Sequence, residues 1–520
     1  MNLKKVFASL FSLGLVLSPM SIYAEDYDIV AVSSDYEYAY KDYNSAWTDA
    51  NNGIEILMLQ DWDTNGRLVV DEGKSVTIDM NGHKIDRHLS EKQSDGEVIY
   101  MNKNSNLTLK GSTDNSFEVK DLWKDQDGSR TTYETTGGLV TGGYSTNGGG
   151  GIHMKKNSKL TLDHVGVMSN IAQENSASGG AIFTETGCEV SLENQAKIAY
   201  NYAARNGGAI FVNGEDTYIY MDNSRIFYNI AQTGGAILSD ADATRITMDN
   251  NSRIEDNKAT LRGGALYFRN SYSLVQSNDG TGVFYNNIAK SDTDCAGGAI
   301  FFQPASGEFD EAEVKNITFY YNQAISTSSS LSEGGAISGN LANIDIINCT
   351  FTENSAGEGG GLYVYNDNIT LDGCTMSENR AKKGGAVYVD SQFDLNLAGK
   401  CKIKGNKKLN GSSADDIYLD VGYFTRAYVS GTPDEGSQVG LIGIGACKVG
   451  INQTTDNGSF FLDESDQYDL EYSGSELNEK SKTTGSIFGN GNTIIAGCVM
   501  VGIGVVGGVV LFVNKKKKKA

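Results

Sequence analysis

The chain has 520 residues, 65 of them acidic and 43 basic, for a net charge of −22. So acidic a surface repels nucleic acid and anionic lipid and favours solubility, which excludes a polyanion-binding role. Glycine supplies 62 residues and proline only 3, so turns are built on glycine and long proline-rich linkers are absent.

In chain order, Lys4 and Lys5 precede an apolar run over 6–17, then Ser18, Pro19 and SIYA ending at Ala24. A charged start, a short apolar stretch and small residues at its end predict a secretory signal peptide over 1–24. Residues 25–52 are tyrosine-rich, and YNSAWTDANNG predicts one short helix with Asn44 or Ser45 as its cap. Such a segment can cover the unpaired edge of the first strands, so 25–52 reads as an N-terminal cap. EILMLQD, LVVDEG, VTIDM and NLTLKG supply the early strands.

From 149 onward the sequence repeats. GGA or GGG followed by an aliphatic residue begins at Gly149, Gly179, Gly207, Gly234, Gly263, Gly297, Gly334, Gly359 and Gly384, about every 29 residues. The second glycines of seven of these pairs are Gly180, Gly208, Gly235, Gly264, Gly298, Gly335 and Gly385. Between the pairs lies an apolar residue, two variable residues and Asn. These asparagines are Asn170, Asn201, Asn229, Asn257, Asn287, Asn322, Asn354, Asn379 and Asn406.

Each unit carries three short alternating segments, such as AIFV, YIYMDN and RIFYN, and has no room for an amphipathic helix. Three strands per turn, repeated with similar chemistry, predict an all-β fold: a right-handed parallel β-helix over 53–450. Stacked at about 4.8 Å each, some twelve or thirteen coils would make a solenoid roughly 60 Å long. The glycines suit positive φ and close backbone approach. The asparagines suit a second corner, where left-handed backbone is tolerated and amides can stack into ladders.

The residue after each glycine pair and its small neighbour is aliphatic, and the next is usually aromatic: Phe183, Phe211, Tyr267, Phe301, Tyr363, Tyr388. With the aliphatic ladder inside, alternation places this aromatic stripe outside, as a candidate binding surface. By the same logic Tyr228, Glu255, Asp256 and Lys404 face solvent. Cys349, Cys374 and Cys401 stack in successive coils, as a buried thiol ladder or at disulfide spacing. Two longer units carry insertions from Gln303 and Gln323, and solenoid insertions map to loops on one face.

After the repeats, 451–492 reads as a polar stalk. The uncharged apolar run over 493–513 has 21 residues, enough to form a transmembrane helix. Lys515 and its neighbours make 514–520 a basic cytoplasmic tail, which puts the preceding chain outside.

GGA[ILV] paired with FxxN over 149–406 resembles the repeats of chlamydial polymorphic outer-membrane proteins, and is similar to related β-helix surface proteins of Gram-positive bacteria. VTIDMNGHKI at 76–85 is similar to a first-coil segment of such proteins. Full FxxN occurs at Phe284, Phe319 and Phe351. The resemblance implies a parallel β-helix acting as an adhesin, followed by an outer-membrane barrel. Here a single apolar run and a lysine tail stand in the barrel's place, which favours a cell with one membrane. LPxTG is absent and SKTTG at 481–485 keeps only Thr-Gly, so retention in the membrane is the default and wall attachment the lesser reading.

Parallel β-helices of the pectin-lyase-like kind also host polysaccharide lyases and glycoside hydrolases. Their chemistry needs positioned carboxylates, or calcium with a basic residue. No acid pair stands out from turn usage, no cofactor motif appears, and no spacing suggests a metal site. His83, His88, His153 and His164 read as surface or turn residues. The sequence therefore favours a membrane-anchored binding scaffold for an extracellular protein, glycan or neighbouring cell. A surface lyase or hydrolase is the alternative.

Overall fold

A computed structural model describes residues 28–481, apart from 121–131, 175–176, 270–271, 304–309, 329–330, 341, 366–367, 391–393, 421–427, 435, 443–448, 451–460, 464–467 and 474–475. The signal segment 1–24, the apolar run 493–513 and the basic tail lie outside the described residues. Among those described, no helix is long and apolar enough to cross a membrane.

One coil shows how the repeat folds. A glycine strand (Ile182–Thr184) leads to a long strand (Glu189–Glu193), an asparagine strand (Lys197–Ala199) and a two-residue strand (Tyr202–Ala203). The next glycine strand, Ile210–Val212, then begins the following coil. Each strand pairs in parallel with its equivalent one coil later: Ile182 with Ile210, Glu189 with Tyr218, Lys197 with Arg225, Tyr202 with Ile230. The described strands are thus mostly parallel, in the arrangement of a parallel β-helix. Antiparallel pairs join Ala31 to Tyr40, Ser116 to Thr136 and Tyr468 to Ser481. The expectation of three strands per coil misses the fourth, a strand of two to five residues after most asparagine corners, which pairs with its equivalent one coil later.

The two glycines of each pair have different jobs. Gly207 has φ +60, and a Cβ there would lie 2.1 Å from the Ile210 carbonyl oxygen, because the chain entering the pair doubles back over the strand that follows. Gly208 faces the next coil instead: its Cβ would lie 2.2 Å from the Gly235 carbonyl oxygen. One glycine permits the turn and the other permits backbone to stack on backbone.

The aliphatic residues Ile152, Ile182, Ile210, Ile237, Leu266, Ile300, Ile337, Leu362 and Val387 all lie in the core. Phe284, Phe319 and Phe351 stack inside it, with centroids 5.2 and 4.8 Å apart. Burying the aliphatic column and these rings contributes about 25 cal/mol per Å² removed from water.

The asparagine corners differ from expectation in one respect. The left-handed residue is the one before each asparagine: Tyr200, Tyr228, Asp256 and Tyr321 have φ between +52 and +60. The asparagine turns inward and is fully buried. Asn229 Nδ2 donates to Ile198 O in the preceding coil, to Phe227 O, and to Asn257 Oδ1 in the next. The pattern continues as an unbroken amide ladder from Asn170 to Asn406. It closes on Asp416, whose Oδ1 accepts from Asn406 N at 2.8 Å and Nδ2 at 2.7 Å. A carboxylate only accepts, which suits the last position, where no further rung needs a donor.

At the other end, a helix spans Tyr43–Asn51. Its N-cap is Asp42, which accepts from the Ser45 N–H at 2.8 Å and hydroxyl at 2.9 Å. Capping therefore falls before Asn44 and Ser45, because Asp42 can reach a free amide of the first turn. Trp47 Nε1 and Asn51 Nδ2 donate to Val69 O at 2.8 and 3.2 Å, and Asn51 Oδ1 accepts from Asp71 N. These side chains satisfy backbone groups on and just beyond a strand, Leu68–Val70, that has a paired neighbour on one side only. Within 451–492, read as a polar stalk, the strands Phe461–Asp463, Tyr468–Ser473 and Glu476–Ser481 form.

Candidate functional site

The aromatic stripe on the glycine strands points away from the core, as alternation requires: Phe183, Phe211, Tyr267 and Phe301 cluster with Leu238 and Ala296, while Tyr363 and Tyr388 stack on each other. It is not an open surface. Phe211, Tyr267, Phe301, Tyr363 and Tyr388 are only 2–6% exposed, and Phe183 is half-buried. The physical reason is the doubling-back at each glycine pair, which lays the entering chain over the rings. Cations add further cover: Arg269 lies over Tyr267, Arg262 over Phe301 and Lys383 over Tyr388, 4.9–5.6 Å from the ring centroids. His153, read as a surface or turn residue, belongs to this stripe. It stacks on Phe183 at 4.6 Å, and burial brings its pKa down to about 4.

The three stacked cysteines are free thiols, as are Cys188 and Cys295. Cys349, Cys374 and Cys401 donate to Val314, Ile346 and Leu371 carbonyls one coil back. Burial raises all three thiols, Cys349 to about 12.

Two ionisable groupings escaped the sequence reading because their members sit in different repeats. Glu333 and Glu358 precede glycine pairs on adjacent coils and face each other in register. Burial, and then the charge of Glu358, push Glu333 up to about 7; burial also raises Glu358, although Lys383 lies 3.7 Å away. Near the N-terminal end, Asp63, Asp86 and His88 bring their ligand atoms within 4.8 Å of one another, a set that could hold a divalent cation. Asp86 meanwhile accepts from Lys84 at 3.1 Å.

Exposed tyrosines lie at the asparagine corners, and also at Tyr38, Tyr218 and Tyr365, 50%, 42% and 40% exposed. Tyr228 is 46%, Tyr320 37% and Tyr321 43% exposed. Tyr285 is half-buried and stacks on Tyr320 at 5.4 Å. Tyr228 and Tyr321 project because each occupies the left-handed position before a ladder asparagine. Tyr285 and Tyr320 alternate outward from Phe284 and Phe319. The recurring YN and YYN before these asparagines was the available signal; only Tyr228 was read from it. Lys404 is exposed and Asp256 half-buried, but Glu255 is buried, drawn in by Arg225 and by Arg253 at 3.4 Å. Further toward the N-terminus, the hairpin strands Ser116–Lys120 and Thr132–Thr136 cover this face, packing Val119 with Leu139, Met168 and Phe227.

Beside Tyr320 the same face carries a polar cleft of about 310 Å³, lined by Asn278, Asp279, Gly280, Asn316, Ile317, Thr318, Asn348 and Thr350. Its rim is fixed by Asp279, which accepts from Asn250 N at 2.7 Å and from the Thr281 amide and hydroxyl at 3.0 and 2.7 Å. Burial works to raise the Asp279 carboxyl, but these hydrogen bonds hold it well below the ordinary range.

Residues 348–365 match the repeat of Chlamydia polymorphic membrane proteins. The match spans one asparagine strand, Asn354 and the glycine strand Leu362–Tyr365. It bears out the resemblance read from GGA[ILV] and FxxN, and points to a protein of the surface or outer membrane. No curated protein and no solved structure matches the chain.

Proposed function

We propose that this chain is a membrane-anchored, surface-displayed β-helix that binds an extracellular partner along its asparagine-corner edge. In this reading 1–24 directs export, 25–52 caps the first coil and the run 493–513 is the single span. The coil winds right-handed, the default for parallel crossovers. Adhesion to a protein, a glycan or a neighbouring cell is the role. One contrast carries the reading: Phe211, Tyr267, Phe301, Tyr363 and Tyr388 on the glycine strands are packed away, while Tyr228, Tyr320 and Tyr321 at the asparagine corners stay 37–46% exposed. Exposed tyrosines such as the neighbouring Tyr320 and Tyr321 suit recognition, since each offers a large rigid contact area and a polar tip.

A carbohydrate-active enzyme is the second reading, and the paired Glu333 and Glu358 favour it, because two in-register carboxyls, both raised by burial, are the kind of groups that serve as acid and base. The pair shares no residue with the cleft beside Tyr320. Cells displaying the full chain should adhere to target cells or polysaccharide-coated surfaces, and the double variant Tyr320→Ala/Tyr321→Ala should lose most of that adhesion. Equal adhesion with and without the chain refutes the binding role. Release of new reducing ends that stops in Glu333→Gln selects the enzyme.

A further inference from the structure

The cleft exists because one corner is longer than its neighbours. Between the strands Lys159–Asp163 and Val165–Met168, or Asp310–Lys315 and Ile317–Tyr320, a single residue makes the turn. Between Ser273–Gln276 and Gly282–Tyr285 the corner takes five residues, 277–281. The long corner overhangs the short ones that follow, at Asn316 and Asn348, and the recess between them is the cleft. The recess is held open by its own bonds: Asn316 Nδ2 donates to Ser277 O at 3.0 Å and Asn278 Nδ2 to Asp249 Oδ2 at 2.8 Å. Each amide thus gives one of its two N–H groups to the protein, which fixes its orientation and leaves its oxygen as an acceptor.

The floor continues into an aromatic platform. On the strand Ile317–Tyr320, Ile317 and Phe319 point into the core, while Thr318 and Tyr320 share the outer face. Thr318 pairs in register with Thr350, and Tyr320 is stacked on Tyr285. The surface therefore presents amide oxygens, two threonine hydroxyls and one carboxylate beside an exposed tyrosine ring. Among the described residues, no lysine or arginine lines it.

We propose that this cleft and Tyr320 form a subsite for a neutral pyranose unit of a glycan, an inference that rests on the adhesive reading above. Sugar hydroxyls donate to the Asn278 and Asn316 oxygens and to Asp279, and accept from Thr318 and Thr350. The C–H face of the ring lies on Tyr320. An anionic sugar finds no counter-charge in the lining and is repelled by Asp279, so uronate and sulfated chains are excluded. The overhang closes one side of the recess, which favours a chain end or branch.

The test is binding of the purified full chain to an array of neutral glucans, mannans and galactans, with polygalacturonate and heparin as anionic counterparts. Binding should be confined to neutral members. Loss of one stacking face in Tyr320→Ala should weaken it about tenfold. Thr350→Val removes a hydroxyl while keeping a β-branched strand residue, so it tests the site even if Tyr320→Ala disturbs packing; it too should weaken binding. Ser377→Ala, on the same outer face beyond the cleft, should leave binding unchanged. Binding only to anionic polymers, or neutral binding indifferent to both cleft variants, overturns the subsite. Cell adhesion that survives periodate oxidation of the target's sugars also overturns it, while leaving adhesion to a protein intact. Absence of adhesion to any target sinks the underlying role itself.

Discussion

Removing one rung of the amide ladder should open the solenoid locally. In Asn257→Ala, three donations vanish, to Ile226 O and Glu255 O at 2.9 Å and to Asn287 Oδ1 at 3.1 Å. Two acceptances vanish as well, from Asn229 N and Nδ2 at 3.0 Å each. Asn257 and Asn229 are 0–1% exposed, so water cannot replace what is lost. An orphaned buried amide costs about 1–3 kcal/mol, and each lost bond at the two carbonyls about 0.5–1.5 kcal/mol more. The sum is about 2–6 kcal/mol. Because solenoid stability is carried by nearest-neighbour interfaces, the loss should appear as faster hydrogen exchange around 226–231 and 255–259, with distant coils unchanged. Asn257→Asp keeps the acceptor for Asn229 but turns a carboxylate toward the Ile226 and Glu255 oxygens. It should be worse than alanine at neutral pH and recover in acid, where the carboxyl regains a proton and can donate. A cost under about 1 kcal/mol, or exchange that quickens evenly along the chain, would refute the ladder as a structural element.

Gly235→Ala should prevent stacking of two coils, since its Cβ would lie 2.2 Å from the Gly264 carbonyl oxygen, whereas Gly280→Ala, with nothing within 4 Å, should cost only its φ of +75. Comparison of urea midpoints separates them; equal effects would show that close approach is not what the second glycine permits. In the native protein at pH 8, Cys349, Cys374 and Cys401 should resist maleimide, because burial keeps them as thiols. Peptide mapping should find them labelled only after unfolding. Glu333, raised from 4.5 to about 7 by burial and Glu358, keeps in the native state a proton that the unfolded chain releases. Its contribution is therefore full below about pH 4.5 and is lost as pH rises toward 7. The stability of Glu333→Gln relative to wild type should rise across that window; a constant difference would deny the shift.

Much of the scaffold was legible in the sequence. Two interleaved motifs recurring every coil placed the glycine turns, the aliphatic core column and the asparagine column, because in a solenoid each contact is made with the equivalent residue of the next repeat. Where the reading failed, the cause lay in contacts that alternation does not encode. Alternation says that Phe301 and Tyr388 leave the core; it does not say that the chain before each glycine pair folds back over them. It puts Glu255 outward, but not two arginines drawing it under cover. It gave the left-handed conformation to the asparagine when the preceding residue adopts it.

The fold-determining chemistry is local and periodic, so the sequence alone sufficed for a parallel β architecture with a glycine column and an amide ladder. Which outward face is accessible, and where a cleft opens, depend on residues brought together from separate repeats. Asn278 and Asn348 are 70 positions apart yet line one recess, and Glu333 meets Glu358 only because two coils stack in register. Such neighbours are set by how far each corner protrudes over the next, a three-dimensional quantity that no single repeat contains.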